Sequence, residues 1–308
     1  MVPVSLIRPL RASLRVFRRC RPFFVAAGLV GGCTLLLIGL RAADRDQTSE
    51  AVAEPSLLDL LDRVGKERER SMDEPRRIRA PRAPRSRSWR SPLAHQCNGV
   101  DPALRRRLDA LQGNTEQWRS TQTIHPTNFG DRFQTDAFGQ PLDSSPRVVV
   151  MHETVYGMTS AINTFLTPHP RDEDQVSYHT LIGLDGQVVD LVDPLKRAYG
   201  AGNSAFLGEW AVTNRKLKGS VNNFALHLSL ETPLSGENDA PVHTGYSQRQ
   251  YDALALVLAD WMETFSMSPA AITTHRHVDL GGERSDPRSF DWNALQRRLA
   301  ALGYLCNN

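Results

Sequence analysis

Two stretches with the pattern of buried strands each end in a histidine, and this feature constrains the fold of the chain most strongly. The apolar run Val148–Met151 precedes His152, and residues 271–274 precede His275. Short apolar runs of this kind are typical of strands buried inside a sheet. Asp286 follows in the same part of the chain. Two imidazoles and one carboxylate are a ligand set of catalytic zinc sites, which keep a fourth position open. The sequence therefore predicts a metal site where these strands end.

The pattern alone leaves the second imidazole ligand open. On an extended segment His275 and His277 lie on the same face, so either could be the ligand. Asp286 also has an ordinary interpretation, because an aspartate before a proline commonly starts a turn.

The N-terminal part of the chain has the pattern of an export segment. Residues 1–21 are rich in arginine, and residues 22–40 are an uncharged apolar run just long enough to span a bilayer as a helix. By the positive-inside rule, residues 1–21 would stay in the cytoplasm and the rest would be exported to the periplasm. We therefore expect a transmembrane anchor in the inner membrane of the cell envelope. A cleaved signal peptide, giving a secreted protein, and a lipid anchor at Cys33 are the alternatives.

Residues 41–96 are predicted to be a disordered linker rich in arginine and proline, with a short amphipathic helix at residues 56–61. A folded domain is predicted over residues 97–308. Because the arginines lie in the linker and on no recognisable nucleic-acid-binding module, we expect no nucleic-acid partner.

The cysteines are compatible with one disulfide bond. Cys97 and Cys306 lie at the two ends of the predicted domain, and an exported domain can keep a disulfide between them. Two unpaired thiols are the alternative. No C-x-x-C pair is present, which argues against a structural zinc ribbon.

The predicted domain mixes strands with helices. Asp101 and Pro102 are typical of a helix start, Asp185–Gly186 of a hairpin turn, and Ser247–Gln250 of a capping box. The predicted elements are a helix at 102–111, a buried strand at 148–151, a hairpin of 178–184 and 187–192, a half-buried strand at 224–230, a helix from 248 and a helix at 291–302. This pattern predicts an α/β (mixed α+β) domain in which helices flank a central mixed sheet.

Four stretches of this domain, taken together and in order, carry a resemblance to a known family. They are residues 149–154, residues 176–186, residues 198–204, and residues 272–276 with 285–287. The domain resembles the zinc-dependent N-acetylmuramoyl-L-alanine amidases, the family that includes the phage lysozyme-type amidases and the peptidoglycan recognition proteins. The resemblance covers about residues 147–292 and implies the fold of that family.

The resemblance implies that His152, His275 and Asp286 hold Zn²⁺, and it favours His275 over His277. Tyr178 is similar to a tyrosine that some members place beside the metal-bound water.

Three further positions bear on catalysis. Arg284 stands where members often have lysine, and its planar guanidinium differs from a lysine point charge. Ser229 stands where some members have a glutamate base, and Glu231 lies two residues further along the same strand face. Gly200 stands where many members have a histidine.

The resemblance implies a peptidoglycan hydrolase that cleaves the amide between N-acetylmuramic acid and the L-alanine of the stem peptide with zinc-activated water. Tyr178, Arg284, Glu231 and His179 are the candidate catalytic residues, and Tyr178 ranks above Glu231. The alternative is a non-catalytic peptidoglycan- or muropeptide-binding protein of the same fold. The H-E-x-x-H motif of many zinc peptidases is absent. The implied partners are peptidoglycan or muropeptides, with the membrane contacted through the N-terminal segment.

Overall fold

The computed structural model describes residues 57–73, 79–85 and 88–306. The basic N-terminus at 1–21 and the apolar run at 22–40 therefore lie outside the described residues. The chain divides into two units after Ser71, so the helix α1, Leu57–Asp73, is described by itself. This helix lies in the predicted linker and is longer than expected. Its apolar residues recur at helical spacing, at Leu57, Leu60, Leu61 and Val64.

The expectation of a transmembrane helix is corrected by the described part of the chain, which holds no helix long and apolar enough to cross a bilayer. The two longest helices in that part are α1 and a helix at Gln248–Phe265, and both carry several charged residues.

A six-stranded mixed sheet forms the centre of the domain, as predicted. Its strands, in spatial order, are β1 (Arg119–Thr121), β5 (Val188–Asp190), β4 (Thr180–Ile182), β7 (Ala225–Leu230), β3 (Val148–Glu153) and β8 (Ile272–Thr274). β4 and β5 form the expected antiparallel hairpin, and all other neighbours in the sheet are parallel. A separate antiparallel pair consists of β2 (Phe129–Asp131) and β6 (Lys196–Ala198).

The hairpin between β4 and β5 turns where the D-G signal predicts. The backbone N–H of Gly183 donates to the carbonyl of Gln187 at 2.8 Å. Gly186 has a φ of +85°, a left-handed conformation that glycine adopts without steric cost.

The helices of the domain are α2 (Pro102–Gln112), α3 (Met158–Leu166), α4 (Gln248–Phe265), α5 (His275–Val278) and α6 (Trp292–Ala301). Asp101 caps α2, and the predicted capping box of Ser247 and Gln250 opens α4. Leu254 and Leu258 of α4 belong to the same apolar core as Val149 and Met151 of β3. The helix α4 therefore covers one face of the sheet.

The opposite face of the sheet is also covered, which corrects the prediction of a half-buried strand at 224–230. Val148 and Val150 pack into a second apolar cluster, so β3 is buried on both faces. Every residue of β7 is buried as well, including His227 and Ser229. The reason is the position of β7 between β4 and β3, where parallel neighbours need cover on both sides.

The packed part of the domain begins before the predicted boundary at Cys97. The indole N–H of Trp89 donates to the carbonyl of Ala270 at 2.9 Å, and its ring lies 4.7 Å from that of His277 and 5.9 Å from that of Trp292. A large aromatic side chain buries enough apolar surface to hold this segment against the domain.

The two ends of the domain are joined covalently. Cys97 and Cys306 form the disulfide bond that the sequence allowed. Beside it, the backbone N–H of Gln96 donates to the carbonyl of Leu305 at 2.9 Å.

Candidate metal centre

The sheet brings the two predicted histidine ligands together. His152 lies near the end of β3, and His275 follows β8 directly as the first residue of α5. β3 and β8 are parallel neighbours in which Met151 pairs with Thr274. Each histidine is the next residue after its member of that pair, so the two imidazoles meet at one edge of the sheet.

Asp286 completes the cluster from the loop before α6. The backbone N–H of Arg276 donates to the carbonyl of Asp286 at 3.1 Å, which ties this loop to the start of α5. The carboxylate lies 3.3 Å from Nδ1 of His152 and 3.1 Å from Nδ1 of His275. His152, His275 and Asp286 can thus present three ligand atoms to one point.

The donor set fits a divalent cation of the size of zinc. Zinc bonds to histidine nitrogen and carboxylate oxygen are about 2.0–2.2 Å long, which separates neighbouring ligands of a tetrahedron by about 3.3 Å. The separations of 3.3 Å and 3.1 Å at Asp286 agree with that spacing. Nδ1 of His152 is buried without a hydrogen-bond partner, although it faces the carboxylate. A buried nitrogen without a hydrogen-bond partner is free to bind a metal ion.

The electrostatics keep His152 and Asp286 in the protonation states that a metal requires. Burial, and then the neighbouring His275, lowers the pKa of His152 to about 4, so this imidazole is neutral near pH 7. Burial raises the pKa of the Asp286 carboxyl, but its close contacts with the imidazoles of His152 and His275 outweigh that effect and hold the pKa well below its usual range. Neutral imidazole and ionised carboxylate are the ligand forms of these side chains.

The geometry separates His275 from His277, which the sequence pattern could not do. Nδ1 of His277 lies 2.6 Å from the hydroxyl of Thr274, and its ring meets the edge of Trp89. His277 therefore packs against Trp89, while His275 lies in the cluster.

A buried ion pair fixes the two chain segments that carry His152 and Asp286. Glu153 follows His152, and Arg288 lies two residues after Asp286. The guanidinium Nε of Arg288 donates to Oε1 of Glu153, and the Arg288 backbone N–H donates to Oε2 at 2.8 Å. The hydroxyl of Tyr246 donates to Oε2 at 2.5 Å. Since less than a tenth of either charged side chain is exposed, this pair holds the ligand segments in place without water.

A cleft of about 710 Å³ opens at the cluster. His275 and Asp286 line it, together with the predicted catalytic residues Tyr178 and Arg284. The remaining wall includes polar and aromatic groups, among them Tyr156, Asn238 and Arg288. The cleft is therefore large and polar enough for a glycopeptide.

Tyr178 lies against the metal ligands. Its ring stacks on the imidazole of His152 at 4.5 Å and meets Phe165 edge-on at 5.5 Å. Burial raises the pKa of the Tyr178 phenol above its ordinary value, and the charge of Asp286 raises it further. The phenol consequently stays protonated and can donate a hydrogen bond into the cleft.

Arg284 stands exposed on the rim of the same cleft. Its backbone N–H donates to Oδ2 of Asp279 at 3.0 Å, which fixes the loop while the guanidinium stays free to reach a ligand. Its positive charge acts on His152 and Tyr178, lowering the pKa of each and partly offsetting the burial of the phenol.

The structure places Glu231, a candidate base, where both of its carboxylate oxygens accept backbone N–H groups. Its Oε1 accepts the backbone N–H of Met158 at 2.8 Å, and its Oε2 accepts that of Leu184 at 2.8 Å. Met158 is the first residue of α3, so the carboxylate satisfies an unpaired N–H at a helix start. Glu231 does not line the cleft at the metal cluster.

His179, a candidate proton relay, likewise does not line the cleft at the metal cluster. Its Nδ1 accepts the backbone N–H of His227 at 2.9 Å, and its Nε2 lies 3.2 Å from the carbonyl of Lys196. Burial lowers its pKa to about 3. Both ring nitrogens are thus occupied by backbone groups deep in the domain.

One residue near the cluster was not among the predicted site residues. His227 of β7 places its Nδ1 3.0 Å from Nε2 of His152. The sequence offered one signal for it, the polar face of the strand formed by His227, Ser229 and Glu231.

Comparison with known proteins gives one matching family model and several similar solved structures. A family model described as N-acetylmuramoyl-L-alanine amidase matches residues 142–289. No curated protein matches the sequence. A solved structure of a selenomethionine derivative of AmpD is similar at 22% identity, with a TM-score of 0.41, covering 57% of this chain and 92% of that one. The amidase AmiD from E. coli, solved with its substrate anhydro-N-acetylmuramic acid-L-Ala-D-gamma-Glu-L-Lys, is similar at 20% identity, with a TM-score of 0.40, covering 56% and 65%. The amidase LysC from Clostridium intestinale is similar at 17% identity, with a TM-score of 0.35, covering 58% and 97%.

Proposed function

We propose that this chain is an N-acetylmuramoyl-L-alanine amidase. Through residues 142–289 it belongs to the family of that description. The enzyme hydrolyses the amide between N-acetylmuramic acid and the L-alanine of the peptidoglycan stem peptide. We propose that it does so with Zn²⁺ held by His152, His275 and Asp286. The observation that carries the proposal is the convergence of these three donors at one end of the cleft, at separations that suit a tetrahedral ion.

The ion would supply a Lewis acid and an activated water for attack on the amide carbonyl. The chain supplies three things around it. The ligands come from two parallel strands and one loop, so the backbone fixes their positions. The ion pair of Glu153 and Arg288 holds the ligand-bearing segments together. The cleft orients the substrate so that the scissile amide lies beside the ligands.

Tyr178 is the proposed donor to the oxygen that becomes negative in the transition state. Its phenol lines the cleft, stacks on a ligand and remains protonated because burial raises its pKa. A hydrogen bond to developing charge in a partly dry site stabilises the transition state more than the ground state. Of the three residues considered for proton transfer, Glu231 and His179 are bonded to backbone groups, which leaves Tyr178 for that role as well.

Arg284 is the proposed electrostatic partner on the rim. This exposed residue lines the cleft from the loop that carries Asp286. A planar cation of this kind binds carboxylates with two parallel hydrogen bonds. Arg284 would therefore bind an anionic group of the substrate, or stabilise the oxyanion together with Tyr178.

We also propose that the domain works outside the cytoplasm, in the cell envelope. Disulfide bonds persist in oxidising compartments and are rare where thiols are kept reduced. The bond between Cys97 and Cys306 supports that location. Peptidoglycan, the substrate of the family, is found there.

The test uses the purified protein with a soluble muropeptide. We expect release of a peptide with a free L-alanine amino terminus, and loss of that release in His152→Ala, His275→Ala and Asp286→Ala together with the bound zinc. His277→Ala is the matched control, because it removes a histidine outside the cluster and should keep the zinc. A protein that binds the muropeptide and zinc but releases no peptide would support the non-catalytic alternative. Release that persists in zinc-free variants would contradict the metal mechanism.

A further inference from the structure

Gly200 and His227 fit together in a way that the amidase activity alone does not explain. A Cβ atom placed on Gly200 would lie 2.4 Å from both Cγ and Nδ1 of the His227 ring. Contacts below 3.0 Å essentially never occur at a real Cβ, so the absence of a side chain at position 200 is what makes room for this imidazole. The ring is fully buried, and its strand is central in the sheet.

The imidazole of His227 is held where it meets a proposed metal ligand. Its Nδ1 lies 3.0 Å from Nε2 of His152. The backbone of His227 is fixed by His179, whose ring accepts its N–H at 2.9 Å and whose own N–H donates to its carbonyl at 2.9 Å. The position of the ring is therefore set by the sheet and does not depend on a mobile loop.

The direction of the hydrogen bond follows from the metal geometry. Nδ1 of His152 faces the Asp286 carboxylate, so this nitrogen must be unprotonated in order to bind the ion. The proton of neutral His152 then resides on Nε2, which is buried and needs an acceptor. Nδ1 of His227 is the acceptor at hydrogen-bond distance. Histidine ligands of metals usually donate their second N–H in this way, and the acceptor fixes the tautomer and the ring orientation.

A purely structural account of His227 meets a difficulty. If Nδ1 of neutral His227 accepts a hydrogen bond, its Nε2 must carry the ring proton, and this Nε2 is buried without a hydrogen-bond partner. An unsatisfied buried donor costs about 1–3 kcal/mol. In the metal-free protein an apolar side chain would avoid that cost, because His152 could then carry its proton on Nδ1, toward Asp286. A histidine at position 227 therefore needs a reason other than stability.

We propose that His227 is a positioning residue for the metal centre, which accepts the Nε2–H of His152 and holds its Nδ1 toward the ion, and that Gly200 is required because it leaves space for this ring. The inference rests on the proposed zinc site.

The first test compares three single variants by their affinity for zinc, measured in competition with a chromophoric chelator. His227→Leu keeps apolar volume but removes the acceptor, and we expect it to bind zinc about 10–100-fold more weakly. His227→Asn keeps an acceptor near the position of Nδ1, and we expect it to recover most of that loss. Ser229→Ala is the control, because it changes the same strand face without an assigned contact, and its zinc affinity should match the wild type.

A second readout separates positioning from folding. His227→Leu removes the unsatisfied donor at residue 227 and also the acceptor for His152. Without metal, His152 can carry its proton on Nδ1, which faces Asp286, so the metal-free form should be about as stable to denaturant as the wild type. Weaker zinc binding together with undiminished stability is the combination that a merely structural residue would not give.

The role of Gly200 is tested by a double-mutant cycle, which also covers the case in which His227→Leu does not fold. Gly200→Ala should weaken zinc binding by displacing the His227 ring. In the His227→Ala background the same change meets only a Cβ atom at 3.0 Å, a tight contact that a shift of a few tenths of an ångström relieves. Its further effect on zinc affinity should therefore be much smaller than in the wild type. Additive effects of the two changes would overturn the assignment of Gly200.

The outcomes distinguish this inference from its premise. A wild-type protein that binds no zinc refutes both the proposed site and the role of His227. A wild-type protein that binds zinc and cleaves muropeptide, while His227→Leu binds zinc equally well, refutes the positioning role alone.

Discussion

The buried ion pair of Glu153 and Arg288 gives the sharpest prediction about stability. Replacing Arg288 by methionine keeps much of the side-chain volume but removes the charge. The Glu153 carboxylate would then stay buried with three donors, the hydroxyl of Tyr246, the backbone N–H of residue 288 and Nε2 of His243 at 3.2 Å, and without a cationic guanidinium beside it. Three carbonyl oxygens that accept from the guanidinium would lose their donor as well.

The expected loss follows from the burial of both partners. The Glu153 side chain is 6% exposed and that of Arg288 is 9% exposed, so water can replace the lost partner only poorly. Removing one member of a buried pair typically costs about 3–5 kcal/mol. For a domain of this size, each kcal/mol lowers the melting temperature by about 2–4 °C, which predicts a fall of about 6–20 °C.

The assay is chemical and thermal denaturation of the metal-free protein, followed by circular dichroism. Arg171→Met is the matched control, because it breaks an exposed pair with Asp174 and should leave the melting temperature unchanged. The double variant Glu153→Gln/Arg288→Met should lose less stability than the sum of the two single variants, since it leaves no uncompensated charge. A loss below about 1 kcal/mol in Arg288→Met would refute the view that this pair holds the ligand segments together.

Three further predictions concern catalysis, the disulfide bond and pH. Tyr178→Phe should lower kcat by about 100-fold or more, measured as the rate of hydrolysis. Metal analysis should find as much bound zinc as in the wild type. An unchanged kcat would remove Tyr178 from the mechanism. Replacing Cys97 and Cys306 by serine should lower the free energy of unfolding by about 2–4 kcal/mol in denaturant titrations, because the disulfide bond closes a very long loop. Equal stability of the wild type and the serine variant would contradict this. The metal-free protein should lose stability as the pH falls below about 6.5. In the folded state the pKa values of His152 and His179 are lowered to about 4 and about 3. The unfolded state therefore binds more protons in this range, and the fall in pH favours it. Each of these histidines contributes a slope of about 1.4 kcal/mol per pH unit in that range, and a melting temperature independent of pH between about 7 and 5 would refute their neutral burial.

The sequence was sufficient where local chemistry decides the structure. The capping box at Ser247 starts α4, and the D-G turn ends at Gly186 in a left-handed conformation. The apolar run before His152 is a strand buried on both faces, as its continuous hydrophobicity indicates. These features depend on residues close together in the chain, so local sequence patterns predict them.

The sequence was insufficient where distant segments decide the role of a side chain. The two oxygens of Glu231 are occupied by backbone groups of Met158 and Leu184, far away in the chain. The face of β7 that carries His227 is covered by the segment at Gly200, which alternation within the strand does not reveal. The early packed segment depends on the contact of Trp89 with His277, again between distant positions.

The central claim, that zinc at His152, His275 and Asp286 carries the hydrolysis, is tested most directly by removal and return of the metal. Zinc would be stripped from the purified protein with a chelator and added back stepwise while release of the L-alanine-terminated peptide from a muropeptide is followed. The account predicts no release without metal and a linear return that saturates at about one zinc per chain, as expected for one three-ligand site. It also predicts no return in Asp286→Ala. Full release from the metal-free protein, or return of activity in Asp286→Ala at the wild-type stoichiometry, would contradict it.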